Sequence, residues 1–135
     1  LISGAPEFFD YLKEQKIPST IATSCQKDNL DFYFKYLKIG KWFNYNQIVY
    51  NAGSLRSKPN PDFYLAAAEK LAVKPADLIV FEDSSSGIQA AVNAGVKEVV
   101  GVAADTNKAK LLRDSRIGLV IDDYTDKRLS MLFDS

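Results

Sequence analysis

The 135-residue chain contains no histidine. That absence excludes Ser-His-Asp and Cys-His nucleophilic machinery, and every zinc site that depends on imidazole. Cys25 is the one cysteine, so an internal disulfide and a Cys-rich metal centre are excluded and a reducing compartment is expected. Net charge is lacking too. The 17 basic and 17 acidic residues leave no basic field for nucleic acid and no polybasic run for a membrane. No apolar segment approaches the ~20 residues of a membrane span, and the opening LISGAPEFF carries neither the basic lead nor the cleavage pattern of a signal peptide. The expectation is a cytoplasmic protein whose function rests on local charge, and a hydrophobic share of 47% is enough for one domain with its own core.

The most informative stretch is LIVFEDSSSGIQAAVNAGVKEVVGV, residues 78 to 102. Leu78, Ile79, Val80 and Phe81 run without polar interruption into Glu82 and Asp83. A Ser/Gly loop and a helix-like segment ending at Gly95 follow. A continuous apolar run of this length suits a strand covered on both faces, and ligands in open α/β sheets gather at the carboxyl ends of such strands.

Around it, strands and helices alternate. Helices are expected over 5–15 (Phe8, Phe9 and Leu12 inward), over 27–37 (Leu30, Tyr33, Phe34 and Leu37 inward) and from Pro61 onward, with Asn60 as cap and Phe63, Ala66, Ala67 and Leu71 buried. Further helices are expected over 86–94, with Ile88, Ala91 and Val92 inward, over 106–113 and over 125–133. Strands are expected over 17–23, 47–50, 78–82, 99–102 and 119–121, and Trp42 and Phe43 read as core or rim packing. The alternation predicts an α/β fold: a doubly wound, Rossmann-like parallel sheet in a three-layer α/β/α arrangement with right-handed crossovers.

In a parallel sheet, strand ends share one edge, so groups far apart in sequence converge. Thr23 and Ser24 end one strand, Lys58 lies in the loop after the next, and Glu82 and Asp83 end a third. Hydroxyls, an ammonium and two carboxylates form an inventory for a phosphate group and a hard divalent cation. Magnesium takes oxygen ligands and keeps several waters, so one or two carboxylates with a substrate oxygen suffice. Lysine supplies a point charge for phosphate, and hydroxyls with nearby amides complete the cradle. Plainer readings stand beside these: Thr23 and Ser24 as a helix cap, Lys58 as a solvated loop lysine, Cys25 as a spectator, and Tyr33 and Tyr36 as packing. Adjacent acids after four buried residues are the least ordinary feature, because burial there is costly to charge.

The segments IATSCQKDN, SKPNPDFYLAAAEKL and VFEDSSSGIQAAVNAGV, in this order and spacing, resemble the second, third and fourth motifs of the haloacid dehalogenase-like phosphatase superfamily. The likeness is to its β-phosphoglucomutase-like and phosphoglycolate phosphatase-like branch and runs from about Gly4 to Val102. The resemblance implies roles for five residues. Thr23 and the Ser24 amide would hold the transferring phosphoryl group, and Lys58 would neutralise it. Asp83 would bind magnesium directly, and Glu82 would help bind it, directly or through water. The substrate would be a small phosphorylated metabolite, attacked by an aspartate to form an aspartyl-phosphate.

One departure matters. Family members carry the nucleophile in an N-terminal DxD motif after a first strand, followed by a helical cap, and this sequence contains no D-x-D triplet. The expectation is that residues 1 to 135 form a single core domain lacking that strand and cap, inactive alone, with an uncovered central sheet edge. A module of the same fold that only binds a phosphorylated ligand or a partner protein is the alternative. A flavodoxin-like nucleotide domain is disfavoured by the missing G-x-G-x-x-G turn.

Overall fold

The computed structural model describes residues 2–23, 26–104 and 106–133. Its centre is a parallel sheet of three strands in the order β1 (Ile79–Glu82), β2 (Glu98–Val102) and β3 (Leu119–Ile121). Val80 pairs with Val99 and Val100 with Leu119 in register. Helices α1 (Ala5–Glu14), α2 (Lys27–Leu37), α3 (Asp62–Leu71), α4 (Ser85–Ala94) and α5 (Lys108–Leu112) surround it.

Strand side chains alternate in direction, and the two faces of the sheet feed two cores. Val80 and Val99 pack with Tyr64 and Ala68 of α3, Ile88 and Ala91 of α4, and Leu111 of α5. Val100, Val102 and Ile121 face the other way, onto Phe8 and Leu12 of α1 and Leu129. Each fully buried aliphatic side chain contributes about 1.5–3 kcal/mol, so these layers hold the sheet between helices and give the three-layer α/β arrangement expected. No helix among the described residues is long and apolar enough to cross a membrane.

The structure departs from the sequence expectations at several elements. Strands expected over 17–23 and 47–50 reduce to an isolated parallel bridge between Ala22 and Val49, made by Val49 N–H to Ile21 O (2.9 Å) and Thr23 N–H to Val49 O (2.8 Å). The helix expected over 125–133 is a 3₁₀ turn, Lys127–Met131, with the Asp126 side chain accepting from the Arg128 amide. On α2 only Leu30 is buried; Tyr33 and Tyr36 are exposed, as is Leu37, which corrects the packing reading. Val92 is also exposed. Asn60 does not cap α3: Pro61 holds that position, and the Asn60 amide instead donates to Ser57 O at 3.0 Å. Gly95 closes α4 in the left-handed region (φ 77°), as expected of a C-terminal glycine.

Among the described residues β1 pairs along one edge, with β2. Its other edge and the segment around 17–22 face each other across a cavity of about 610 Å³, lined by Ile17, Ile21, Ile79, Phe81 and Phe8 and reaching Lys58 and Glu82. Beside β1 the cavity is a slot with apolar walls and a charged end.

Candidate active site

The charged end of the slot is built by the turn that leaves β1. Ser84, in extended conformation (φ −112°, ψ 150°), caps α4 by accepting from the Gly87 amide at 3.1 Å. The turn therefore folds back on the last strand residue. Glu82 Oε1 accepts from the Asp83 amide (3.1 Å), the Ser84 amide (3.4 Å) and the Ser84 hydroxyl (3.2 Å). Its Oε2 accepts from Lys58 Nζ at 3.0 Å and from the Tyr64 hydroxyl. Five donors on a side chain only 9% exposed satisfy a charge that would otherwise be costly to bury.

The electrostatics follow from this geometry. Burial pushes the Glu82 carboxyl up, but the Tyr64 hydroxyl and the Lys58 ammonium outweigh it, and the group lies below the ordinary glutamate value. Asp83 goes the other way: partial desolvation and the neighbouring Glu82 charge raise it. The Tyr64 hydroxyl is raised by burial and by the adjoining Glu82 charge. At neutral pH the site therefore holds a buried carboxylate paired with an ammonium, beside an exposed second acid.

The loops carrying these groups are tied to one another. Lys58 precedes α3, and the carbonyl of its neighbour Pro59 accepts from Asn93 Nδ2 on α4 at 2.9 Å. Asn107 donates to the Asp83 carbonyl at 3.1 Å and accepts from the Ala104 amide at 2.6 Å, which fastens the turn to the chain after β2. Arg116 grips Asp114 and reaches Gln89 of α4 at 2.8 Å.

Of the residues singled out in the sequence, Lys58 and Glu82 are in direct contact and Asp83 adjoins them. Thr23 follows Ala22, which lines the same cavity as Lys58 and Glu82. Ser24 and Cys25 lie outside the described residues. Sequence reasoning missed three participants. Tyr64 is absent from the stripe Phe63, Ala66, Ala67 and Leu71 expected to be buried, Ser84 reads as loop, and Gly87 as an ordinary position of the helix expected over 86–94; only a serine directly ahead of a helical run marks Ser84 as a cap.

The donor chemistry suits a hard cation. Both acids offer oxygen, and Asp83 points to solvent while Glu82 is engaged by protein donors. Among the described residues no set of three or more His, Cys, Asp or Glu side chains is grouped to hold a metal, so a cation here would complete its shell with water and substrate oxygens, as magnesium commonly does.

Replacing Ser84 with alanine removes the helix cap and one donor to Glu82. A stability loss of about 1 kcal/mol is expected, read as a lower denaturant midpoint; an unchanged midpoint would show that the cap carries no weight.

Comparison with known proteins shows the family and the fold. A family model described as haloacid dehalogenase-like hydrolase matches residues 1–102. A phosphorylated carbohydrates phosphatase of Thermotoga maritima is 32% identical over 112 residues, covering 83% of this chain and 51% of the relative. A haloacid dehalogenase hydrolase (family IA, variant 3) from Entamoeba histolytica superposes with a TM-score of 0.88 at 36% identity, over 93% of this chain and 56% of that one. A putative β-phosphoglucomutase from Thermotoga maritima superposes with a TM-score of 0.78 at 30% identity, over 88% and 54%. The chain thus spans about half the length of these relatives.

Proposed function

The chain belongs to the haloacid dehalogenase-like hydrolase family, and from that premise we propose that the complete protein is a magnesium-dependent phosphoryl-transfer enzyme acting on a small phosphorylated metabolite. The observation that supports this most is the shared contact of Lys58 and Tyr64 on Glu82 Oε2, beside the exposed Asp83, at the end of a strand. A lysine held within 3.0 Å of one acid and next to a second is a cation placed between negative charges. That is the arrangement needed when an anionic nucleophile approaches an anionic phosphoryl group.

In this reading the nucleophile is an aspartate on a strand contributed by a segment outside this sequence, and the slot beside β1 is where that strand lies. The aspartate forms a bond to phosphorus, the bond from phosphorus to the leaving oxygen breaks, and that oxygen takes a proton from an acid of the same segment. Thr23 and the Ser24 amide hold the phosphoryl oxygens, and Lys58 offsets their charge. Asp83, with Glu82 behind it, would hold magnesium, which when bound supplies further positive charge to the phosphoryl group. Water then accepts the phosphoryl group in a phosphatase, and a sugar-phosphate hydroxyl does so in a mutase. The charge-balanced, cysteine-poor composition is compatible with a cytoplasmic setting.

The test is a screen of the complete protein against small phosphoesters and sugar phosphates, with and without a chelator. Phosphate release or phosphoryl migration that needs magnesium is expected, and the 135-residue chain alone should show neither. Binding of inorganic phosphate with no turnover on any substrate would favour the non-enzymatic module instead.

A further inference from the structure

We infer that Tyr64 is a positioning residue that keeps the Lys58 ammonium available to the phosphoryl group; this rests on the phosphoryl-transfer reading above. The inference starts from an oddity of α3. Phe63 and Tyr64 are both buried, at 2% and 6% exposure, and packing asks only for a ring at either place. A buried hydroxyl is costly unless bonded. The one at Tyr64 spends its single proton on Glu82 Oε2, the same oxygen that receives Lys58 Nζ.

Two donors on one oxygen compete. Were the hydroxyl absent, that oxygen's charge would be answered by Lys58 alone, and the ammonium would be drawn onto the acid. With the hydroxyl present, part of that charge is already satisfied. One of the three ammonium protons then goes to Glu82, and the other two stay free to turn toward an incoming anion. The ring adds a second hold: Lys58 Nζ lies 5.0 Å from the Tyr64 ring centroid, within range of a cation–π attraction. Tyr64 therefore fixes the lysine in two ways, by relieving its acid partner and by attracting the ammonium to its ring. Neither way requires it to touch the substrate.

The two contributions separate by substitution in the complete protein. Tyr64→Phe keeps the ring and loses the hydroxyl; kcat should fall about tenfold while KM stays within about twofold, because a misplaced ammonium is felt most against the charge of the transition state. Tyr64→Leu loses both holds; kcat should fall about a hundredfold, and inorganic phosphate, titrated by calorimetry with magnesium present, should bind several-fold more weakly. Near-UV circular dichroism gives the folded fraction for each variant. Wild-type kcat in Tyr64→Phe, or a loss no larger than the loss of folded fraction, would overturn the inference provided that Lys58→Ala is inactive. Full activity in Lys58→Ala would instead sink the underlying phosphoryl-transfer reading.

Discussion

Lys58→Ala in the complete protein should lower turnover at least a thousandfold, the scale seen when a single pre-placed positive group is removed from a phosphoryl-transfer site. Two consequences add. The phosphoryl group loses the cation that offsets its repulsion from an attacking carboxylate. At the same time Glu82 loses one of two donors on Oε2 while remaining 9% exposed, so the acid is less well satisfied and the fold is weakened as well. The remaining donors, Tyr64, Ser84 and two backbone amides, hold the carboxylate in place, so the variant should still fold. Lys58→Met keeps the length of the stem and loses only the charge. Equal loss in both variants at full folded fraction identifies charge as the cause. Lys58→Arg is not a conservative replacement here, because a planar guanidinium spreads its charge over a rigid fork where the lysine presents a compact point charge. Asp83→Asn should show a comparable loss through a different route, read as a rise in the magnesium needed for half-maximal rate. Turnover within tenfold of wild type in Lys58→Ala would remove the lysine from the mechanism.

Part of this site was legible in the sequence because its signals are local. Four apolar residues running into two acids mark a covered strand and its charged end, and β1 ends at Glu82 with Asp83 in the turn. Gly95 stops α4 through its own backbone freedom, and the inward stripe of α1 follows from spacing alone. What stayed hidden depends on neighbours. The segments over 17–23 and 47–50 have the β-branched and aromatic residues of strands, yet among the described residues they make one isolated bridge, Ala22 to Val49, because composition does not fix how many residues of two segments come into register. Tyr33 and Tyr36 recur at helical spacing but lie on an outward face, since periodicity identifies a stripe and not what covers it. Tyr64, outside the expected stripe of Phe63, Ala66, Ala67 and Leu71, stayed hidden because spacing marks neither its burial nor the partner of its hydroxyl. The role of Gly87 is set by Glu82, five residues earlier in the chain, and a one-dimensional reading sees only a glycine after three serines.

That glycine carries the second large expected effect. Gly87 lies in the first turn of α4, where an alanine would by helix propensity alone be favoured by about 1 kcal/mol. Space decides against it. A Cβ built at Gly87 would overlap the Glu82 carboxylate and come within 2.5 Å of Glu82 Cγ, far inside van der Waals contact. The obstacle is not the loose end of a flexible side chain, because both carboxylate oxygens are held by donors from three directions. Relief requires either rotating Glu82 off Lys58 and Tyr64 or lifting α4 from β1, and the second would pull Ile88, Ala90 and Ala91, all at most 1% exposed, out of their packing. Either route costs about 3 kcal/mol, which outweighs the propensity gain. Gly87→Ala should therefore lower the denaturant midpoint and reduce turnover more than a hundredfold per folded molecule, since the Lys58–Glu82 pair is lost even where the fold survives. Gly118→Ala is the matched control. Its Cβ would also meet a glutamate, Glu98, but that side chain is only partly buried and has room to swing toward solvent, so near-wild-type stability and turnover are expected. Equal behaviour of the two variants would show that the close approach of Gly87 to Glu82 has no special weight. A large loss at Gly87 alone would establish that the fourth-motif glycine is selected by the acid it lies against and not by the flexibility of the loop.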